Sequence, residues 1–239
     1  LPANVISDIT LFEKWMGIMI DEHSLPGIAV GIVQNKKLLY SKGFGLSNIS
    51  KNKKMTVNSV QPIASITKLF TSISLMKLVE DNIIELEDPV VKIIPEINKL
   101  NHGNHNIELL NVLSLLRHTS GLPLNNDIEI KLNSDINVNF KNFLKRIGNQ
   151  KLLFKPNTYH KYSNLGMNIG GVIIERVSKK TYIDYVKEAI MNPLGMNFTK
   201  FDIRKENEDT IGYSRIISGA RRYGEYPSMG KLLGLPASG

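Results

Sequence analysis

The sequence contains no cysteine. That removes disulfide bonds, thiol nucleophiles and cysteine-ligated zinc, but it selects no compartment, because exported bacterial enzymes also lack cysteine. No apolar run approaches the roughly 20 residues a helix needs to cross a bilayer, so no membrane span is expected in this chain. A basic stripe interleaved with aromatic residues is also missing. The 30 Lys and Arg against 22 Asp and Glu give a net charge of +8, yet the lysines are scattered among Asn and Ile. The excess reads as solvated surface, and no nucleic-acid partner is expected. His102 and His105 in NHGNHN have a spacing that zinc could use, but no carboxylate or cysteine pair stands beside them. No metal and no organic cofactor are expected. Neither an internal repeat nor a low-complexity tract is present.

What remains is an ordinary globular composition, 42% hydrophobic and 22% charged over 239 residues, enough for one sizeable core with two lobes. The chain opens at Leu1 rather than Met, so an upstream segment, a signal peptide among the candidates, is expected to have been removed. Residues 8–22 carry Ile9, Phe12, Trp15, Met16, Met19 and Ile20 as a one-sided helical stripe that ends before Leu25-Pro26-Gly27. GIAVGIVQ and KKLLYSKGFG then read as an antiparallel hairpin turning around Gln34 and Asn35. From Ser65 the pattern becomes helical, over 65–81, 107–117, 138–147, 165–178 and 181–191, punctuated by Pro89, Pro95, Pro123, Pro156 and Pro193. After Phe201 no clear period is visible.

Within the stretch PIASITKLFTSISLMKL, the residues Ile66, Leu69, Phe70, Ile73, Met76 and Val79 repeat as a helix facing a core. Ser65 and Lys68 interrupt that pattern one turn apart, on one helix face, which supplies a nucleophile and a base. A serine hydroxyl is inert at neutral pH unless a neighbour takes its proton, and the helix start adds backbone N–H groups that favour negative charge on a substrate oxygen. Ser-x-x-Lys is a known signature of β-lactamases and penicillin-binding proteins. Alone the spacing is common: Ser50/Lys53, Ser74/Lys77 and Ser228/Lys231 share it. Only Ser65 combines it with a helix start.

KYSNLG holds the chain's sole Tyr-x-Asn, Tyr162 and Asn164, just before a helix. A phenol beside an ammonium can relay a proton, and an asparagine can hold a lysine and a substrate amide. The competing reading is a tyrosine that packs and an asparagine that caps the helix.

Taken together, these motifs resemble the serine β-lactamase-like superfamily, in the branch of class C β-lactamases, D-alanyl-D-alanine carboxypeptidases and related esterases. The blocks LPGIAVGIV, YSKGFGLSN, IASITKLFTS, LMKLVEDNIIELEDPVVKIIPEI, LLRHTSGLP, YSNLGMNIGGVIIERVS, NPLGMNFT and GLPASG carry the resemblance, in the family's order. It implies an α+β fold of the β-lactamase/penicillin-binding-protein-like transpeptidase type. Residues 1–60 and 200–239 would belong to an α/β sandwich lobe with an antiparallel sheet, residues 61–199 to a helical lobe, and the site would lie between them. By the same resemblance Ser65 is the acylated nucleophile, Lys68 its motif partner, and Tyr162 and Asn164 the second motif. Whether Lys68 or Tyr162 is the general base stays open, since a neighbouring amine and phenol share protons as a pair. His118 in HTSGLP belongs to a structural signature near the site and is not a triad histidine.

The implied activity is that of a serine hydrolase working through an acyl-enzyme on an amide, lactam or ester, with a small molecule or a peptidoglycan peptide as substrate. The family favours a periplasmic or extracellular setting over a cytoplasmic one. The alternatives are a penicillin-binding sensor module and an inactive fragment of the same fold. Two departures bear on the choice. The family's third motif, Lys or His, then Ser or Thr, then Gly, is not found, so the chain is expected to be the first part of a longer one. With no partner strand the hairpin edge would be unpaired, and loss of an oxyanion donor costs about 2.7–4 kcal/mol of transition-state stabilisation. The other departure is Asn157, where the family usually has glycine; asparagine tolerates the left-handed region better than other side chains.

Overall fold

The structure, a computed structural model, describes residues 3–124, 140–201, 210–215 and 223–226. The closing GLPASG block and the Ser228/Lys231 spacing lie outside the described residues. The chain divides into two compact units, one running to Pro62 and including the strands after residue 210, the other spanning Ile63–Phe201.

In the first unit, helix α1 (Ala3–His23) begins earlier than the sequence pattern suggested. Its inner face is built on Phe12, whose ring meets Tyr40 and Phe44 edge-on, and on buried Met16. Trp15, expected on that stripe, is 51% exposed. Strands β1 (Gly27–Gln34) and β2 (Lys37–Asn48) form the expected hairpin, paired from Gly27↔Gly45 to Gln34↔Lys37 with an irregularity at Ile32/Val33. Asn35 and Lys36 both take positive φ, the backbone of the two-residue turn that suits the strands' right-handed twist. The short strand β3 (Lys53–Lys54) adds to β2, giving the order β1-β2-β3. Among the described residues β1 is therefore an edge. The pair β4 (Gly212–Arg215) and β5 (Tyr223–Tyr226) had no signal in the sequence pattern; Ile211 N–H donates to Ser47 O at 2.9 Å, and Tyr213 OH accepts from Ile49 N–H at 2.7 Å.

The second unit is helical. A three-residue 3-10 helix, Ala64–Ile66, leads into α2 (Thr67–Glu80). Short helices not anticipated follow Pro89 and Ile94: α3 (Val90–Ile93) and a 3-10 helix, Pro95–Lys99. The expected helix over 107–117 is split into a 3-10 helix, Ile107–Leu109, and α4 (Val112–Leu116). The break has a local cause, because Asn111 and Ser114 exchange side-chain bonds with each other's backbone N–H as a capping box. Helix α5 (Phe140–Lys145) corresponds to the helix expected over 138–147, whose first two residues lie outside the described set. It is followed by α6 (Asn164–Ser178) and α7 (Tyr182–Val186), which passes into a π turn, Lys187–Met191.

Helix α6 is the centre of this unit, buried without a break from Leu165 to Ile174, with Leu75 and Leu78 of α2 and Leu115 of α4 in the same core. Gly170 allows α2 close: a Cβ there would stand 3.2 Å from Leu75 Cδ1 and 3.5 Å from Thr71 Cγ2.

The orientation of α2 corrects one expectation. Ile66, Leu69, Ile73 and Met76, taken as core-facing, are 60%, 58%, 43% and 46% exposed, while Phe70 and Val79 pack partly against the core. The buried face carries Thr67, Lys68, Thr71, Ser74, Leu75 and Leu78. Two of its polar residues meet partners: Thr71 Oγ1 and Tyr182 OH lie 2.8 Å apart, and Lys68 Nζ donates to Ser65 Oγ at 3.0 Å, while the buried Ser74 hydroxyl has none among the described residues.

Candidate active site

Ser65 sits in the 3-10 helix just before α2, exposed, while Lys68 is 8% exposed on the first turn of α2. The residue before the serine, Ala64, has φ +43. A side chain at positive φ costs about 1–2 kcal/mol, so the backbone that presents Ser65 is held by its surroundings rather than by local preference.

Tyr162 arrives from the segment ahead of α6. Its OH donates to Ser65 Oγ at 2.8 Å across 97 residues of sequence. Lys68 Nζ stands 4.9 Å from the Tyr162 ring centroid as well as 3.0 Å from Ser65 Oγ. The serine oxygen is thus within hydrogen-bond reach of an amine and a phenol at once, the separation that proton transfer requires.

Ser163, between Tyr162 and Asn164, fixes the segment. It is the N-cap of α6: its Oγ accepts from Gly166 N–H at 2.9 Å and donates to Pro123 O at 2.6 Å. The capping role considered for Asn164 therefore belongs to Ser163. Asn164 is the first residue of α6, with its backbone N–H donating to Leu124 O at 2.7 Å. The hydrogen-bonded cluster includes Ser65, Lys68 and Tyr162, and Asn164 follows two residues after the tyrosine.

The HTSGLP turn lies against this segment. Gly121 has φ +79, and a Cβ there would fall 2.3 Å from Phe154 O, so that position admits only glycine. His118 stacks its ring on Tyr162, centroids 4.7 Å apart, and accepts from Ser163 N–H at Nδ1 over 3.2 Å. Burial, and after it the nearby His160 and Lys68, holds its pKa below the ordinary histidine value. Sequence reasoning had assigned the turn to structure; the contact of His118 with Tyr162 spans a separation that no short motif encodes. Among the described residues, members of the rival Ser-x-x-Lys spacings make other contacts. Ser50 Oγ donates to Asn48 Oδ1, and Lys77 pairs with Glu80 and Asp81. His102 Nδ1 bonds His105 O at 2.8 Å within their own loop. Among the described residues no group of three metal-ligating side chains converges, and no helix is long and apolar enough to cross a membrane.

The Beta-lactamase family model matches residues 12–226. Protein flp of Staphylococcus aureus (strain COL) is 33% identical over 201 residues, 81% of this chain and 40% of that protein. Penicillin-binding protein 4* of Bacillus subtilis (strain 168) is 29% identical, over 85% of this chain and 43% of that protein. Among solved structures, the octameric penicillin-binding protein homologue from Pyrococcus abyssi superposes with a TM-score of 0.74 at 30% identity, covering 92% of this chain and 50% of that one. The chain spans half or less of the length of these relatives. Matched over nearly all its residues, it belongs to the Beta-lactamase family and has the α+β fold of the β-lactamases and penicillin-binding proteins.

Proposed function

We propose that the chain carries the acyl-transfer site of a serine hydrolase, with Ser65 as nucleophile. The observation that carries this reading is the convergence of Lys68 Nζ and Tyr162 OH on Ser65 Oγ, at 3.0 and 2.8 Å. As Ser65 Oγ attacks a substrate carbonyl, its proton passes to the Lys68–Tyr162 pair and an Oγ–C bond forms. Charge develops on the carbonyl oxygen, and the Ser65 N–H at the entrance to α2 is one donor suited to it. The tetrahedral intermediate collapses, the leaving group departs with a proton returned from the pair, and an acyl-serine ester remains. Water attacks that ester by the reverse proton path, freeing the acid and restoring Ser65. Asn164, beside Tyr162 at the start of α6, would hold the substrate amide.

The substrates are acyl compounds with an amide, lactam or ester at the reacting carbon, and a D-alanyl peptide of peptidoglycan or a penicillin fits that class. Intact-protein mass after incubation with a penicillin and, separately, with a fluorophosphonate tests the reading, with Ser65→Ala as control. One adduct per chain, lost in the Ser65→Ala protein, is expected. A folded wild-type protein that gains no mass from either reagent would overturn it. A penicilloyl adduct that persists for hours without release would instead favour the sensor or binding module, which is acylated without turning over.

A further inference from the structure

We infer that His118 is a positioning residue for Tyr162, clamping the segment that brings the phenol to Ser65. This rests on the reading of Ser65 as the nucleophile and deepens it. Three contacts from one residue bracket Tyr162. The His118 carbonyl accepts from Lys161 N–H at 2.8 Å, immediately before the tyrosine. Its Nδ1 accepts from Ser163 N–H at 3.2 Å, immediately after it. Its ring lies against the Tyr162 ring, centroids 4.7 Å apart and planes inclined by 35°. With both neighbours and the ring itself held from one side, the phenol has little freedom to leave Ser65 Oγ, 2.8 Å away.

His118 is itself pinned. It stands at φ +55, just past the end of α4, with its N–H donating to Leu115 O at 3.2 Å. The next residue, Thr119, accepts from Asn157 N–H at 2.8 Å, which ties the turn to the far end of the same segment. A histidine is suited to this place because a neutral imidazole offers an unprotonated nitrogen as acceptor together with a flat ring for stacking. Phenylalanine would supply only the ring, and asparagine only the acceptor.

Because Nδ1 accepts from an amide, the proton of the neutral ring resides on Nε2. The clamp requires that state: a protonated ring would point a donor at the Ser163 N–H. The titratable groups around it are His160 and Tyr162 on the segment and Lys68 on α2, with Arg117 adjacent in the chain and Lys161 bonded through its backbone. Burial, and after it His160 and Lys68, oppose a positive charge on the ring and keep His118 neutral to a lower pH than a free histidine.

The test uses the full-length protein and the rate of acylation by a fluorophosphonate, read by intact mass. Wild type, His118→Phe, His118→Asn, Tyr162→Phe and the two double variants are compared, with folding checked by circular dichroism. A misplaced proton-handling group is expected to slow His118→Phe by about 10-fold or more. His118→Asn, which keeps an acceptor and tolerates positive φ, should recover part of that loss. In the Tyr162→Phe background either substitution should change the rate by less than about twofold, because a residue acting through Tyr162 has nothing left to position. The wild-type rate should also fall on acidification, below the ordinary histidine range, with a limb that the Asn variant lacks. Equal rates in the folded variants, or the same loss with and without the phenol, would overturn the clamp alone. If His118→Phe does not fold, the Asn variant in the two backgrounds carries the same comparison. An unlabelled wild type would instead remove the nucleophile reading, and the clamp's catalytic purpose with it.

Discussion

Asn157 holds the backbone at φ +66, where glycine alone is unstrained, yet its side chain does what glycine cannot. Its Nδ2 donates to Leu109 O at 3.0 Å, and its Oδ1 accepts from Thr119 Oγ1 at 3.2 Å. The asparagine side chain thus ties three segments around the HTSGLP turn. Asn157→Ala loses both bonds and keeps the strained φ, and is expected to cost about 1–3 kcal/mol. Asn157→Gly loses the same bonds but relieves the backbone, so the cost should be smaller, under about 1 kcal/mol. Urea unfolding midpoints at constant m would check the order, and a glycine variant less stable than the alanine one would contradict it. At this scale the residues of the candidate site were legible because Ser-x-x-Lys and Tyr-x-Asn are short patterns with chemical content. Ala64 was not, since nothing in IASITK signals a positive φ, and Ser163 was passed over although a serine just before an apolar run is an ordinary cap signal.

Between elements, the bond from Tyr182 of α7 to Thr71 of α2 secures the helix behind Ser65. Tyr182 is 1% exposed, with its OH 2.8 Å from Thr71 Oγ1. Burial pushes its pKa up to about 12, with the Thr71 bond pulling partly the other way. The phenol is therefore neutral in the folded chain at a pH where it ionises in the unfolded one. The folded state binds the extra proton, so this contribution is intact below pH about 10 and is lost as pH rises towards about 12, a span worth roughly 2–3 kcal/mol. Chemical denaturation from pH 8 to 12 should show that decline. Tyr182→Phe should flatten it while costing about 1–2 kcal/mol at pH 7, where the Thr71 hydroxyl loses a buried partner. Contributors to the remaining slope include Tyr40, pushed up to about 12 by burial and then by Glu13, Tyr185, raised chiefly by burial, and Lys77, raised chiefly by its bonds to Asp81 and Glu80. An unchanged alkaline limb in the variant would refute the assignment. This contact also explains why α2 was misread. Periodicity located an apolar stripe, but the face that packs was decided by a tyrosine 111 residues away and by the space Gly170 leaves on α6.

Across the whole molecule the two units differ in how much apolar surface each encloses. In the first, the buried apolar side chains among the described residues are Met16 and Met55, and none of the eight residues of β1 is buried. Its helix is held to the sheet by the Phe12 aromatic contacts and by Glu13, which accepts from Tyr40 OH at 3.0 Å and from Lys42 Nζ at 2.6 Å. That ion pair is open to solvent and contributes little. The second unit encloses a continuous core from Leu75 to Met191, with ten consecutive residues of α6 buried. Apolar burial dominates stability at about 25 cal/mol per Å², so opening should be easier in the hairpin than in α6. Native-state hydrogen exchange on this chain is expected to show β1 and β2 amides opening at free energies about 2 kcal/mol or more below those of α6. The Ser65, Lys68 and Tyr162 cluster, seated at the entrance to α2 and ahead of α6, should follow the more protected set. Equal protection in hairpin and helix would mean that the two units open as one, and that the hairpin draws its stability from something other than its own buried side chains.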